Sequence, residues 1–121
     1  MKILIIEDDA VDERSIVQNL LAVIPKAEIV WRMTLMEGMR EADKGIALIV
    51  LDLTLPDSPS SSATIAAFKP ITQTIPTIIV SGTEDPVVMV EAIDSGALGF
   101  IFKSKLETMI GPIVIELMGV T

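Results

Sequence analysis

The segment "IVLDLTLPDS" (residues 49–58) runs three apolar residues into Asp52, turns apolar again and breaks at Pro56. A short aliphatic run bounded by a turn is the pattern of a strand buried on both faces. A carboxylate at the end of such a strand needs a reason. What ends the other strands supplies it.

Working outward, "KILII" (2–6) reads as a first strand. A helix over 10–24 follows, with Val11, Ile16, Leu20, Leu21 and Ile24 at helical spacing before Pro25. "EIVW" (28–31) is a second strand, and Thr34 with Glu37 forms a capping box for a helix ending near Gly45. "ALIVL" (47–51) is the third strand, and a loop of Pro and Ser leads to a helix near 62–68. "PTIIV" (76–80) is the fourth, and Pro86 opens a helix that stops at Ser95-Gly96. "LGFIF" (98–102) is the fifth, with a last helix over about 106–118. Gly111-Pro112 moves the expected start of that helix toward Gly111, because Pro is tolerated in a first turn and not further in. The apolar surface of "MIGPIVIELMG" (109–119) has two open readings, burial against the sheet or a docking or dimer face.

Five βα repeats in 121 residues imply a parallel sheet covered by helices on both sides. The expected product is an α/β, doubly wound sandwich, one domain spanning 1–121. Half of the residues are hydrophobic, which excludes disorder. No apolar run approaches the roughly 20 residues needed to span a bilayer. "MKILII" is cut off at once by Glu7-Asp8-Asp9, so it is neither membrane anchor nor signal peptide. The chain has no Cys and no His, which excludes disulfides, thiolate and imidazole metal sites, and Ser-His or Cys-His catalysis. The absence of Cys fits a reducing, cytoplasmic setting. A net charge of −8 opposes direct nucleic-acid binding.

In an open parallel sheet the ligand site lies beyond the carboxyl ends of the strands. Glu7, Asp8 and Asp9 follow the first strand, and Asp52 and Thr54 end the third. Ser81, Gly82 and Thr83 follow the fourth, and Lys103 follows the fifth. Each has an ordinary reading by itself: Asp9 as a helix N-cap, Ser81 as a turn residue, Lys103 as a solvated lysine. Four strand ends polar at one edge call for a common purpose. If the first and third strands are neighbours, Asp8 and Asp52 share a pocket with Glu7, and only a cation lets all three stay ionised. Oxygen-only ligands suit Mg²⁺ or Mn²⁺. Lys103 and the Ser81 hydroxyl suit an oxyanion on Asp52, which makes this a phosphoryl-transfer site with a carboxylate nucleophile.

These motifs together resemble the receiver domain of two-component response regulators, the CheY-like family, over essentially the whole chain. The segments that carry the resemblance are "ILIIEDD" (3–9), "LDLTLPDS" (51–58), "IIVSG" (78–82) and "GALGFIFK" (96–103). The resemblance implies a flavodoxin-like (βα)5 three-layer sandwich with strand order 2-1-3-4-5. It implies Asp52 as phosphoacceptor, Lys103 as the phosphate-contacting lysine, and Ser81 and Phe100 as switch residues. The metal site it implies is Glu7, Asp8, Asp52 and the backbone carbonyl of Thr54, holding Mg²⁺ or Mn²⁺. The implied protein is a signalling domain rather than an enzyme, catalysing only its own phosphorylation and slow dephosphorylation. Its partners would be a histidine kinase or histidine phosphotransfer protein in trans, a downstream protein or fused output domain, and in one form a homodimer. The implied readout is a switch of the surface made by helix four, strand five and helix five. The alternative is a pseudo-receiver that serves only as a protein-interaction module. Two departures stand out: Ser104 occupies a position where many members have Pro with a cis bond, and Gly82 replaces a frequent Ala. A phosphatase of haloacid dehalogenase type would want a second Asp at the place of Thr54, and a flavin phosphate would be repelled by Glu7-Asp8-Asp9.

Overall fold

In a computed structural model describing residues 1–119, the chain forms five strands and five helices in strict alternation. They are β1 (Lys2–Ile6), α1 (Ala10–Val23), β2 (Glu28–Arg32), α2 (Leu35–Glu41) and β3 (Leu48–Asp52). The second half continues with α3 (Ser61–Thr72), β4 (Thr77–Ser81), α4 (Pro86–Asp94), β5 (Gly99–Phe102) and α5 (Leu106–Met118). A 3-10 turn, Lys103–Lys105, joins β5 to α5. All strand pairs are parallel, in the order β2-β1-β3-β4-β5, the doubly wound flavodoxin-like topology. None of the described helices is long and apolar enough to cross a membrane.

Successive residues of a strand face opposite sides of a sheet, so the aliphatic runs feed two cores at once. Leu4, Ile6, Ile49, Leu51 and Ile79 pack with Leu35, Ile65, Phe68, Val88 and Ala92 under α2, α3 and α4. Ile3, Ile5, Leu48, Val50, Ile78, Val80 and Ile101 pack with Ile16, Leu20, Ile110 and Val114 under α1 and α5. This is the three-layer sandwich, and it explains why the strands are apolar without alternation.

Helix starts follow their capping chemistry. Asp9 accepts from the amides of Val11 and Asp12, Thr34 from Glu37, Ser60 from Ala63 and Asp85 from Val87. Helix boundaries depart from expectation in three places. α2 stops at Glu41, not near Gly45, because the chain tightens into turns in which Ala42 N–H donates to Met39 O and Lys44 N–H to Glu41 O. Gly45 then takes φ +77°, a conformation open to glycine. α3 runs through Pro70 to Thr72, and α5 starts at Leu106 with Pro112 inside it rather than near Gly111. A proline frees the carbonyl four residues back. Ala66 and Pro70, like Thr108 and Pro112, are exposed, so each freed carbonyl belongs to a solvent-facing residue and the helices continue. The apolar face of α5 is largely spent on packing through Leu106, Ile110 and Val114, while Met109 and Ile115 stay exposed.

Candidate functional site

Register brings the strand ends together. Ile6 pairs with Leu51 across β1 and β3, so the next residues, Glu7 and Asp52, stand level. Asp52 pairs with Val80, and Ser81 with Phe102, so Lys103 begins beyond the level of Asp52 and its long side chain reaches back. Lys103 Nζ lies 2.8 Å from Asp12 Oδ2, 3.2 Å from Glu7 Oε1 and 3.5 Å from Asp52 Oδ2. Glu7 and Asp52 are 0% and 1% exposed. The Glu7 backbone is pinned to β2: its amide donates to Arg32 O, and the Trp31 indole donates to its carbonyl at 2.6 Å. Trp31 thus has a positioning role that nothing in its local sequence announces.

Each buried carboxylate is only half satisfied. Glu7 Oε1 accepts from Lys103 and from the Asp9 amide, but Oε2 has no partner. Asp52 Oδ1 accepts from the Thr54 amide at 3.3 Å, and Oδ2 accepts no hydrogen bond. Burial, then the charge of Asp52, pushes the Glu7 carboxyl up to about 8 against the pull of Lys103. Burial likewise raises Asp52, with Lys103 opposing. Burial works against the Lys103 ammonium, but the bond to Asp12 and the charges of Asp52 and Glu7 outweigh it and raise its pKa. The ammonium is permanently charged at neutral pH.

Glu7, Asp8 and Asp52 each place one oxygen within 4.8 Å of the others. Two unpartnered buried oxygens beside an exposed Asp8 are the deficit that a hard divalent cation relieves, so this donor set fits one. The sequence-derived set therefore converges in part. Glu7, Asp8, Asp52 and Lys103 meet, and Thr54 touches Asp52 through its amide. Ser81 and Phe100 sit on the other pleat. Asp52 shares the parity of Leu48 and Val50, toward α1 and α5, whereas Ser81 shares that of Ile79, toward α2 to α4. The Ser81 hydroxyl donates to Thr83 O and accepts from Thr83 N, a local turn. Phe100 is half-buried against the α2–α4 core, edge-on to Phe102 at 5.5 Å.

Asp12 is the residue that reading strand ends misses. It sits in the first turn of α1, just after the N-cap Asp9, where an acidic residue is ordinary helix chemistry and marks no site. Its contact with a lysine 91 residues away has no local signal. Among the departures, every described peptide bond is trans, Lys103–Ser104 included. A Cβ at Gly82 would meet only Lys103 Cδ, at 3.9 Å, so the extra room there is real.

Comparison with known proteins agrees with this fold. The phosphorylated cyanobacterial phytochrome response regulator RcpA superposes with a TM-score of 0.78 at 25% identity, covering 99% of this chain and 96% of its own. The Mn²⁺-bound response regulator Rcp1 gives 0.79 at 20% identity, with coverage of 99% and 96%. A CheY-like receiver protein of Methanospirillum hungatei gives 0.74 at 21% identity, with coverage of 98% and 90%. No curated protein sequence matches. The response regulator receiver domain model matches residues 3–111, nearly the whole of the sheet and its helices, and the chain belongs to that family.

Proposed function

We propose that this chain is a phosphorylatable receiver in which Asp52 accepts a phosphoryl group and thereby signals. The observation that supports it best is Asp52 itself: 1% exposed at a strand end, with Oδ2 unbonded beside Glu7 and Lys103. Leaving one oxygen of a buried carboxylate without a hydrogen bond is costly, and a transferable phosphoryl group gives that cost a use. The chain has no His, so the donor is a histidine kinase or histidine phosphotransfer protein in trans, or a small acyl phosphate. An Asp52 carboxylate oxygen attacks phosphorus, the P–N or P–O bond to the donor breaks, and the leaving group keeps the bonding pair. The product is an aspartyl phosphate, which water later hydrolyses.

The residues act by position and charge. Lys103 faces the oxygens that gain negative charge, and the Thr54 amide fixes the attacking carboxylate. Glu7, Asp8, Asp52 and the Thr54 carbonyl would hold Mg²⁺ or Mn²⁺, which when bound neutralises charge on the phosphoryl oxygens. RcpA in its phosphorylated form and Rcp1 in its Mn²⁺-bound form support this assignment. Beyond this self-modification the chain is a signalling domain, not an enzyme with a separate substrate.

Ser81 leaves its turn with Thr83 for the phosphoryl oxygens, and Phe100 moves inward. A surface groove of about 540 Å³ between α4 and β5, lined by Met89, Ile93, Leu98 and Phe100, changes shape as that ring leaves it. The α4–β5–α5 surface so altered meets a downstream protein, a fused output domain or a second copy. The domain spans 1–121 and works in the cytoplasm, without nucleic acid or membrane. Intact mass after incubation with acetyl phosphate and Mg²⁺ tests the proposal. A single phosphate adduct, absent from Asp52→Asn and without metal, is expected. Metal binding without any adduct, from acetyl phosphate or a phosphohistidine donor, would favour a pseudo-receiver that acts only by contact.

A further inference from the structure

Lys103 serves three carboxylates unequally. Its shortest contact, 2.8 Å, goes to Asp12, which is about one-third exposed and outside the buried site. Asp52 Oδ2, inside the site, stands at 3.5 Å with no hydrogen bond. The ammonium bonds the buried Glu7 at 3.2 Å and, more closely, an outer acceptor that water already solvates, while the buried Asp52 oxygen is left short. The placement follows from the fold: Asp12 is on α1, which covers the face to which the pleat directs Asp52. Asp12 and Lys103 close from opposite sides, and Asp12 also lines a cavity of about 400 Å³ with Ser15, Lys105 and Thr108. That cavity leaves the ammonium space to move.

From this we infer that Asp12 is a positioning residue, a latch that draws the Lys103 ammonium outward and sets how readily an anion on Asp52 captures it. The inference rests on the receiver reading above. An incoming phosphoryl group must win Lys103 from Asp12, or share it, so the latch tunes both acceptance and lifetime of the group. Removing the Asp12 charge releases the lysine toward Asp52, which favours a bound anion and disfavours a bound cation.

The test uses beryllofluoride, a phosphoryl mimic, titrated in excess Mg²⁺ into the wild type, Asp12→Asn and Asp12→Ala. The single tryptophan, Trp31, bonded to the Glu7 carbonyl, reports binding. Both variants are expected to bind beryllofluoride about two- to fivefold more tightly, the share of a partly exposed ion pair. Mg²⁺ alone should bind no more tightly than in the wild type. In a Lys103→Met background the gain should disappear, because the latch acts through that ammonium. A merely structural role would weaken both ligands together. Weaker or unchanged beryllofluoride binding, or an equal gain without Lys103, would overturn the latch. A wild type that binds Mg²⁺ but neither beryllofluoride nor a phosphoryl group would instead sink the receiver reading, and the latch with it.

Discussion

Replacing Glu7 with Gln should stabilise the metal-free protein, and more so as the pH rises. Gln has the shape of a protonated Glu, so the variant removes the work of ionising a buried group. In the fold that carboxyl has a pKa near 8, against 4.5 for an ordinary glutamate. The folded value is raised, so the group's contribution is fully present below about 4.5 and is lost as the pH climbs toward and through 8. At 1.36 kcal/mol per pKa unit, the penalty is about 4 kcal/mol at pH 8 and under about 1 kcal/mol at pH 5. Relaxation of the neighbouring charges lowers the upper figure, so a gain of roughly 2–4 kcal/mol at pH 8 is expected. Asp52, also raised, tilts the wild type the same way. Asp57 and Glu41, both lowered, are shared by wild type and variant and so cancel from the difference. Urea unfolding in EDTA at pH 5 and pH 8, followed by far-UV circular dichroism, gives both numbers. Excess Mg²⁺ should erase the gain, since Gln is the poorer ligand. A Gln variant less stable than the wild type at pH 8 would refute the reasoning, by showing that the Lys103 pair outweighs burial.

Two further substitutions probe the scaffold. Asp57, from the β3–α3 loop, accepts from the Leu35 and Met36 amides at 2.8 and 3.0 Å and so caps α2 from outside its own segment. Asp57→Ala should cost about 1–2 kcal/mol by urea unfolding at pH 7, and the difference should vanish in acid, where the depressed carboxyl finally protonates. Gly38 sits on α2 where a Cβ would overlap the Ile6 side chain, with Cγ1 only 2.6 Å away. Gly38→Ala should therefore lower stability by roughly 1–3 kcal/mol, although alanine is the better helix former by about 1 kcal/mol. A Tm equal to or above that of the wild type would show that Ile6 yields easily.

The strands were legible because they are buried on both faces, and each observed boundary lies within a residue or so of its apolar run. Helix ends were less so. Gly111-Pro112 read as a helix start, and nothing local shows that α3 and α5 carry Pro70 and Pro112 in their interiors. Asp52, Glu7, Asp8 and Lys103 could be found because parallel strands deliver their last residues to one edge. Asp12, Trp31 and Asp57 could not, since each acts through a contact far along the chain. The opposite pleats of Ser81 and Asp52 were implicit in period-two alternation. What the alternation does not tell is that Ser81 then settles its hydroxyl on Thr83.

The sheet divides the interior into two apolar compartments that share backbone and no side chains. For protein engineering this is a partition wall. Residues such as Leu20 and Phe68 lie on opposite sides of it, so repacking one compartment leaves the other's jigsaw untouched and the free-energy changes should sum. The wall also sorts the upper rim, with the acid cluster and its lysine on one side and the serine–phenylalanine pair on the other. A designer could then recast the α4-side surface for a new binding partner while transplanting the acidic rim unchanged.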